Sequence, residues 1–291
     1  MRLKHLKFQQ HFSPHACTEI RYSSKPQLSE PVESNFKPLT KEELKWAQEV
    51  VGTFMFYTRA VNPTMYPAVG SIATALHSNS FKTLKKKIDQ LLDYASSHPN
   101  ASIKYVASKM HLWAHTDASY LCETKSRSRA GGYYYLRDTP NYPVKPDQKC
   151  PPHNGAVHIL CKIIDSVMSS AQEAELGAGF MNAKELIPIR QALIDMGHPQ
   201  GPTPLQFDNK TAHDILTGDS VQRRSKHMDM RFNWLLDRQA QQQFHFHWKN
   251  GIYNLGDYVT KHHPAKHHIA VRPVYVSNFM SKIRPSPSLQ G

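Results

Sequence analysis

Residues 111–120 read HLWAHTDASY, a strand-forming run that reaches Asp117 and then gives way to two small residues. An Asp followed by small residues is common turn chemistry. A carboxylate where an apolar strand ends is also how an α/β sheet brings an acid to its crevice. The chain repeats the arrangement. PLQFDN (204–209) is a second short apolar run that stops on Asp208.

The segments around these two runs alternate in period. From Thr40 the pattern is helical: Thr40 with Glu43 makes a capping box, and Leu44, Val51, Phe54 and Met55 fall near one face. NPTMYP (62–67) breaks this helix, AVGSIATAL forms a second, and FKTLKKKIDQLLDYA a third. In the third, Leu84, Ile88, Leu91 and Leu92 point inward, and Lys82, Lys85, Lys86 and Lys87 outward. The lysines read as a solvated face or, more sharply, as a rail for nucleic acid.

After HPNAS (98–102), SIKYVAS, HLWAHTD, RAGGYYYLRD and AVHILCKII read as strands at hairpin spacing, interrupted by a Pro-rich insertion at 138–155. A helix over SSAQEAELGAGFMNAKELI follows, capped by Ser169 or Ser170 and kinked or restarted by Pro188. Then come the strand of Asp208, helices over NKTAHDILTG and SKHMDMRFNWLLDRQAQQQ, the strand FHFHW, and a last helix opening at GDYVTKHH. This predicts an α/β fold, a mixed sheet with helices on its faces. The expected division is an irregular leader at 1–40, a helical segment at 41–100, the sheet domain at 101–272 and a flexible tail at 273–291.

The 291 residues carry a net charge of +13, 40% hydrophobic residues and a pI near 9.5. That balance suits a polyanionic partner, with nucleic acid first. No apolar run approaches the ~20 residues of a membrane span, so no membrane partner is expected. The four cysteines, Cys17, Cys122, Cys150 and Cys161, form no CxxC pair, which points to an intracellular chain, cytoplasmic or nuclear, without a zinc ribbon.

Two further acids stand at element starts: Glu175 in the opening turns of the long helix and Asp257 at the start of the last one. Glu173 competes with Glu175. Two carboxylates about 4 Å apart repel by about 4 kcal/mol at an effective dielectric of 20. A cation relieves that repulsion, and all-oxygen ligation suits magnesium or manganese. Two such ions form the machinery of in-line phosphodiester cleavage.

WAHTDASY, SSAQEAELGAG, LQFDNKTA and NLGDYVTKHH resemble the four acidic motifs of the ribonuclease H domain in copia-type retrotransposon polyproteins. EVVGTFMFYTRAVNPTMYPAVGSIATAL (49–76) is similar to the helical segment that joins reverse transcriptase to that domain. SKHMDMRFNWLLDR (225–238) resembles the helix ahead of its last strand. The resemblance covers about Glu43 to His268 with the motif order kept. It implies a ribonuclease H-like fold with a five-stranded mixed sheet preceded by a small helical segment, and hydrolysis of the RNA strand of an RNA–DNA hybrid. Asp117, Glu175, Asp208 and Asp257 would be the catalytic metal ligands, holding two Mg²⁺ ions that Mn²⁺ can replace. Glu175 is preferred over Glu173 because the family's acid precedes an apolar residue, as in AEL. Ser119, Asn209, Lys226 and His227 join the four lysines as candidate nucleic-acid contacts. The rest of a reverse transcriptase is the other expected partner, because no polymerase palm, Cys/His knuckle or aspartic-protease triplet is present. The segment therefore reads as the C-terminal end of a larger polyprotein, or as a piece cut from one.

Three readings compete: a hybrid-specific nuclease, a catalytically silent remnant or domesticated binding protein, and a DNA strand-transfer enzyme of the same fold. A strand-transfer enzyme closes its acidic set with a Glu on a late helix, whereas this Glu lies between the first and second Asp. The loop KNGIYNLG (249–256) lacks the His that cellular enzymes of the fold often carry there. His245 and His247 read as partly exposed strand residues. KHHPAKHH (261–268) reads as a solvated or cationic loop, since it lacks the spacing of a closed zinc site.

Overall fold

The structure, a computed structural model, describes Gln9 and residues 11–16, 37–140, 154–217 and 226–278, the side chains of 226–229 and 278 excepted. The centre of the expected insertion and most of the expected leader and tail lie outside the described residues.

Helix α1 (Lys41–Ala60) opens on the expected capping box: Glu43 N donates to Thr40 Oγ1 (3.2 Å) and Thr40 N to Glu43 Oε2 (2.8 Å). A 3-10 turn at Pro63–Met65 leads into α2 (Tyr66–Ala75), and α3 (Phe81–Ser97) starts at the Ser80 cap. Ala47, Val50 and Phe54 of α1 pack against Val69 and Ile72 of α2 and Leu84, Ile88 and Leu91 of α3, giving the helical segment a core of its own.

The sheet is built from β2 (His111–Glu123), β3 (Arg127–Arg137), β4 (Ala156–Ile163), β5 (Thr203–Phe207) and β6 (Phe244–Trp248), in the order β4-β3-β2-β5-β6. The first three strands are antiparallel, and β5 and β6 run parallel to β2. This is the five-stranded mixed sheet of the ribonuclease H-like fold. A separate two-residue ladder joins β1 (Ala101–Ser102) to β7 (Ser277–Asn278). Alternation along the strands splits the interior. Leu112, Ala114 and Tyr134 pack under α4 (Ala171–Asp195) and α6 (Lys226–Ala240), and α5 (Lys210–Thr217) completes that layer. Trp113, Tyr133 and Tyr135 pack under α7 (Asp257–Thr260) and α8 (Ala265–Tyr275), together with Tyr66 of α2.

Adjacent glycines on β3 let both layers approach. A Cβ on Gly131 would stand 2.5 Å from Thr260 Cγ2 and 2.6 Å from Gly256 O; one on Gly132 would stand 1.8 Å from Asn182 Oδ1. Asn182 ties α4 to the sheet, donating to Thr116 Oγ1 and Gly131 O (2.9 Å each) and accepting from Tyr134 Oη (2.6 Å).

The structure departs from the sequence expectation in six places. KHHPAKHH is not a solvated loop, since its His263 and His268 are 6% and 1% exposed and α8 begins within it. Of SIKYVAS (102–108) only Ser102 lies in a strand, the two-residue β1. Beyond it, Val106 N donates to Asn154 Oδ1 (2.8 Å) and Asn154 Nδ2 to Val106 O (2.8 Å), so one side-chain amide replaces a strand partner. Asp117 does not end its strand, because β2 continues to Glu123 along β3; what ends is its parallel pairing with β5, at His115–Gln206. Pro188 does not restart α4, since the carbonyl it deprives of a partner belongs to the exposed Lys184. The last helix is two: Lys261 turns extended (φ −133°, ψ 156°), and Pro264 starts α8. His247 is buried (4% exposed), because its face of β6 lies against Trp113.

Candidate metal centre

β2 and β5 are parallel neighbours, and beyond His115–Gln206 they no longer pair. Asp117 lies just past that point on β2, opposite Gly131, and Asp208 follows the last residue of β5. Glu175 enters from α4, one turn from the Gly177–Gly179 stretch. Gly179 there allows close packing on Phe207, whose ring a Cβ would meet at 2.7 Å. Glu175 Oε1 accepts from Ala118 N (3.3 Å). One carboxylate oxygen from each of Asp117, Glu175 and Asp208 falls within 4.8 Å of the others. Glu173 stays at the helix start, where its Oε2 accepts from Ser169 N (2.9 Å), and takes no part.

Burial sets the electrostatics. It raises the Asp117 carboxyl from 3.8 to about 7, with Asp208 and Asp257 adding repulsion and Lys261 and Thr260 opposing. Glu175 is driven well above its ordinary range by burial and by Asp117 and Asp208. Asp208 is raised by burial too, against a hydrogen bond from Asn254 and the charge of Lys261. Glu175 Oε2 is buried and has no hydrogen-bond partner among the described residues. An orphaned carboxylate oxygen beside two more acids fits a hard divalent cation.

Asp257 is joined to the trio indirectly. Lys261, one turn on, donates to Asp257 Oδ1 and lies 3.4 Å from Asp117 Oδ2; Thr260 Oγ1 donates to that same oxygen at 2.5 Å. Burial works to lower the Lys261 pKa, but Asp117 and Asp257 outweigh it and hold the ammonium charged. Asn254 fixes the approach to α7, its Nδ2 donating to Thr116 O (2.8 Å) and its Oδ1 accepting from Gly256 N (2.9 Å). A second donor set, Asp257, His263 and His267, also has its atoms within 4.8 Å. Lys261, Thr260 and Asn254 join the site without having been expected there from the sequence. The Asp257-x-x-x-Lys261 spacing was the available signal, since residues four apart share a helix face.

The candidate nucleic-acid contacts scatter. Ser119 is buried, with Oγ 2.6 Å from Cys122 Sγ, and Asn209 accepts from Ala212 N (3.0 Å) at the start of α5. Lys82, Lys85 and Lys86 are exposed; Lys85 pairs with Asp89 (2.6 Å), and Lys87 donates to Ser71 Oγ (3.0 Å). The side chains of Lys226 and His227 lie outside the described residues. No helix among the described residues is long and apolar enough to cross a membrane.

No family model matches the chain. Over 185 residues, 64% of its length, it is 24% identical to the retrovirus-related Pol polyprotein from transposon TNT 1-94 of Nicotiana tabacum. The chain spans about an eighth of that polyprotein, 13% of its length. Similar solved structures include LC11-RNase H1, isolated from compost by a metagenomic approach (12% identity, 51% of this chain and 91% of that one, TM-score 0.36). Another is the N-terminal RNase H domain of a Mycobacterium tuberculosis protein, solved as a fusion with maltose-binding protein (10% identity, 56% and 96%, TM-score 0.35). The order and directions of its five sheet strands give the chain a ribonuclease H-like architecture, and in sequence it is similar to a segment of a retrotransposon Pol polyprotein.

Proposed function

We propose that this chain is a divalent-metal-dependent nuclease that hydrolyses the RNA strand of an RNA–DNA hybrid, as part of a copia-type reverse transcriptase polyprotein. The observation that carries the reading is the convergence of Asp117, Glu175 and Asp208 at the mouth between β2 and β5, with donor atoms within 4.8 Å and Glu175 Oε2 unpartnered among the described residues. Three carboxylates would hold Mg²⁺ there, and Mn²⁺ in its place. Bound, the ion supplies Lewis acidity and an activated water for phosphodiester hydrolysis. Thr260 and Lys261 hold Asp117 in place, and Glu175 is steadied by Ala118 N. A second ion using Asp117 and Asp257 requires the Lys261 ammonium to withdraw, since it sits between them. The hybrid would lie across this mouth, with 2′-hydroxyl contacts separating RNA from DNA.

The test is Mg²⁺ titration of the purified chain on a strand-labelled hybrid, with calorimetry on wild type and Asp208→Asn. Cutting of the RNA strand alone, lost in the variant together with Mg²⁺ binding, is expected. The loss should exceed the roughly 10–100-fold typical of removing an outer partner of a metal ligand. Equal Mg²⁺ binding by both proteins would refute the site, and comparable cutting of duplex DNA would refute the substrate.

A further inference from the structure

The imidazoles after α7 form a donor set of a different chemistry. His263 is 6% exposed, and its Nε2 has no hydrogen-bond partner among the described residues. That nitrogen points at Asp257 Oδ2 from 3.6 Å, too far for a hydrogen bond. The ring is clamped between Tyr258, with centroids 5.3 Å apart, and His267, with centroids 4.4 Å apart. His267 is four residues on, in the first turn of α8, and exposed. Asp257 spends its other oxygen, Oδ1, on Lys261, which leaves Oδ2 facing the imidazoles.

A buried nitrogen without a partner costs about 1–3 kcal/mol, and the His267 ring, stacked on that of His263, is not placed to offer it an in-plane hydrogen bond. A cation satisfies all three groups. Nitrogen and oxygen ligands at about 2.0–2.2 Å stand roughly 3–4 Å apart around one ion. The His263–Asp257 pair already has that separation at 3.6 Å, so only the exposed His267 ring has to close in. Imidazole-rich sets take zinc-class ions, whereas carboxylate sets take magnesium. Three protein ligands leave a position open to water, unlike a closed structural site. The linear spacing of KHHPAKHH concealed this set, because its carboxylate comes from the preceding helix.

We propose that Asp257, His263 and His267 form a binding site for a zinc-class divalent transition ion, separate from the all-oxygen trio of Asp117, Glu175 and Asp208. It stands on its own side chains whether or not the trio hydrolyses anything. Through Asp257 and Lys261 the site adjoins Asp117, so a bound transition ion would anchor the start of α7 to that of α8.

The experiment is Zn²⁺ calorimetry on the metal-free full chain in millimolar Mg²⁺, which fills the trio, with Co²⁺ absorption in the visible as a second readout of nitrogen ligation. One Zn²⁺ per chain is expected. His267→Ala, at an exposed position checked by its melting temperature, should weaken it by at least about tenfold. His263→Asn should abolish the Co²⁺ bands, and Asp208→Asn should leave both signals in place. Undiminished Zn²⁺ affinity in His267→Ala, loss of Zn²⁺ binding in Asp208→Asn, or full displacement by Mg²⁺ would each overturn the site.

Discussion

The Lys261 ammonium lies 3.4 Å from Asp117 Oδ2, across 144 residues of chain, while bonding Asp257 one turn before it. A buried acid cluster here carries an internal cation. That arrangement has a consequence for metal affinity. Removing the ammonium takes a positive charge from beside the trio and makes the potential there more negative, so Lys261→Met should bind Mg²⁺ about tenfold more tightly or better. The metal-free variant should be less stable, by roughly 3 kcal/mol or more, because its buried acids lose their partner. Calorimetry and thermal melts in EDTA read the two effects. Weaker Mg²⁺ binding would mean that Lys261 chiefly positions the carboxylates.

Asp117 gives the metal-free chain a definite pH dependence. Its carboxyl titrates near 7 when folded, against 3.8 ordinarily. Between those values the folded state holds more protons than the unfolded one, so this group's stabilisation is complete below about pH 4 and declines up to about pH 7. The buried imidazoles of His247 and His263, pushed down to about 3 and about 4, act oppositely, adding stability as pH rises toward 6.5. The difference between wild type and Asp117→Asn reports this acid together with its coupling to Glu175 and Asp208. From pH 5 to pH 8 in EDTA, wild type should lose on the order of 2–3 kcal/mol relative to the variant. Denaturant titration at each pH measures it. A flat difference would show that Asp117 is ionised throughout.

Gly131 should tolerate no side chain. Its Cβ would meet Gly256 O, a backbone atom, at 2.6 Å, so the start of α7 would have to move. Gly131→Ala is expected to cost roughly 1–3 kcal/mol and to loosen the Thr260–Asp117 bond. A lowered melting temperature with weakened Mg²⁺ binding checks this. A neutral substitution would show that α7 yields easily.

The lysines of α3 bear on hybrid affinity rather than on chemistry. Each phosphate contact steepens the salt dependence of binding by about 0.7–0.9. Replacing Lys85, Lys86 and Lys87 with Ala should flatten the slope by up to about 2–3 units. The exposed Lys86 alone should account for nearly one, while Lys85 and Lys87 must first give up Asp89 and Ser71. Filter binding across a salt series reads the slope. An unchanged slope would reduce these lysines to a solvated face.

Much of this fold was legible in the sequence. Strand runs with period two and helix caps at Thr40 and at Ser169 or Ser170 are local features, fixed by neighbours a few residues away. The preference for Glu175 over Glu173 came from resemblance; the structure separates them because one faces the sheet and the other caps the helix. Where strand pairing stops, and which groups meet from distant segments, only the tertiary structure decided. Asp117 reads as a strand end but is a point where one neighbour leaves and the other stays. Lys261 reads as one more charge in a basic run until α7 packs on Gly131 and carries it to Asp117. His263 reads as part of a solvated loop until Tyr258 and His267 close over its ring. Periodicity and capping report interactions within one element. Burial and charge pairing depend on which elements are pressed together, and no local pattern encodes that.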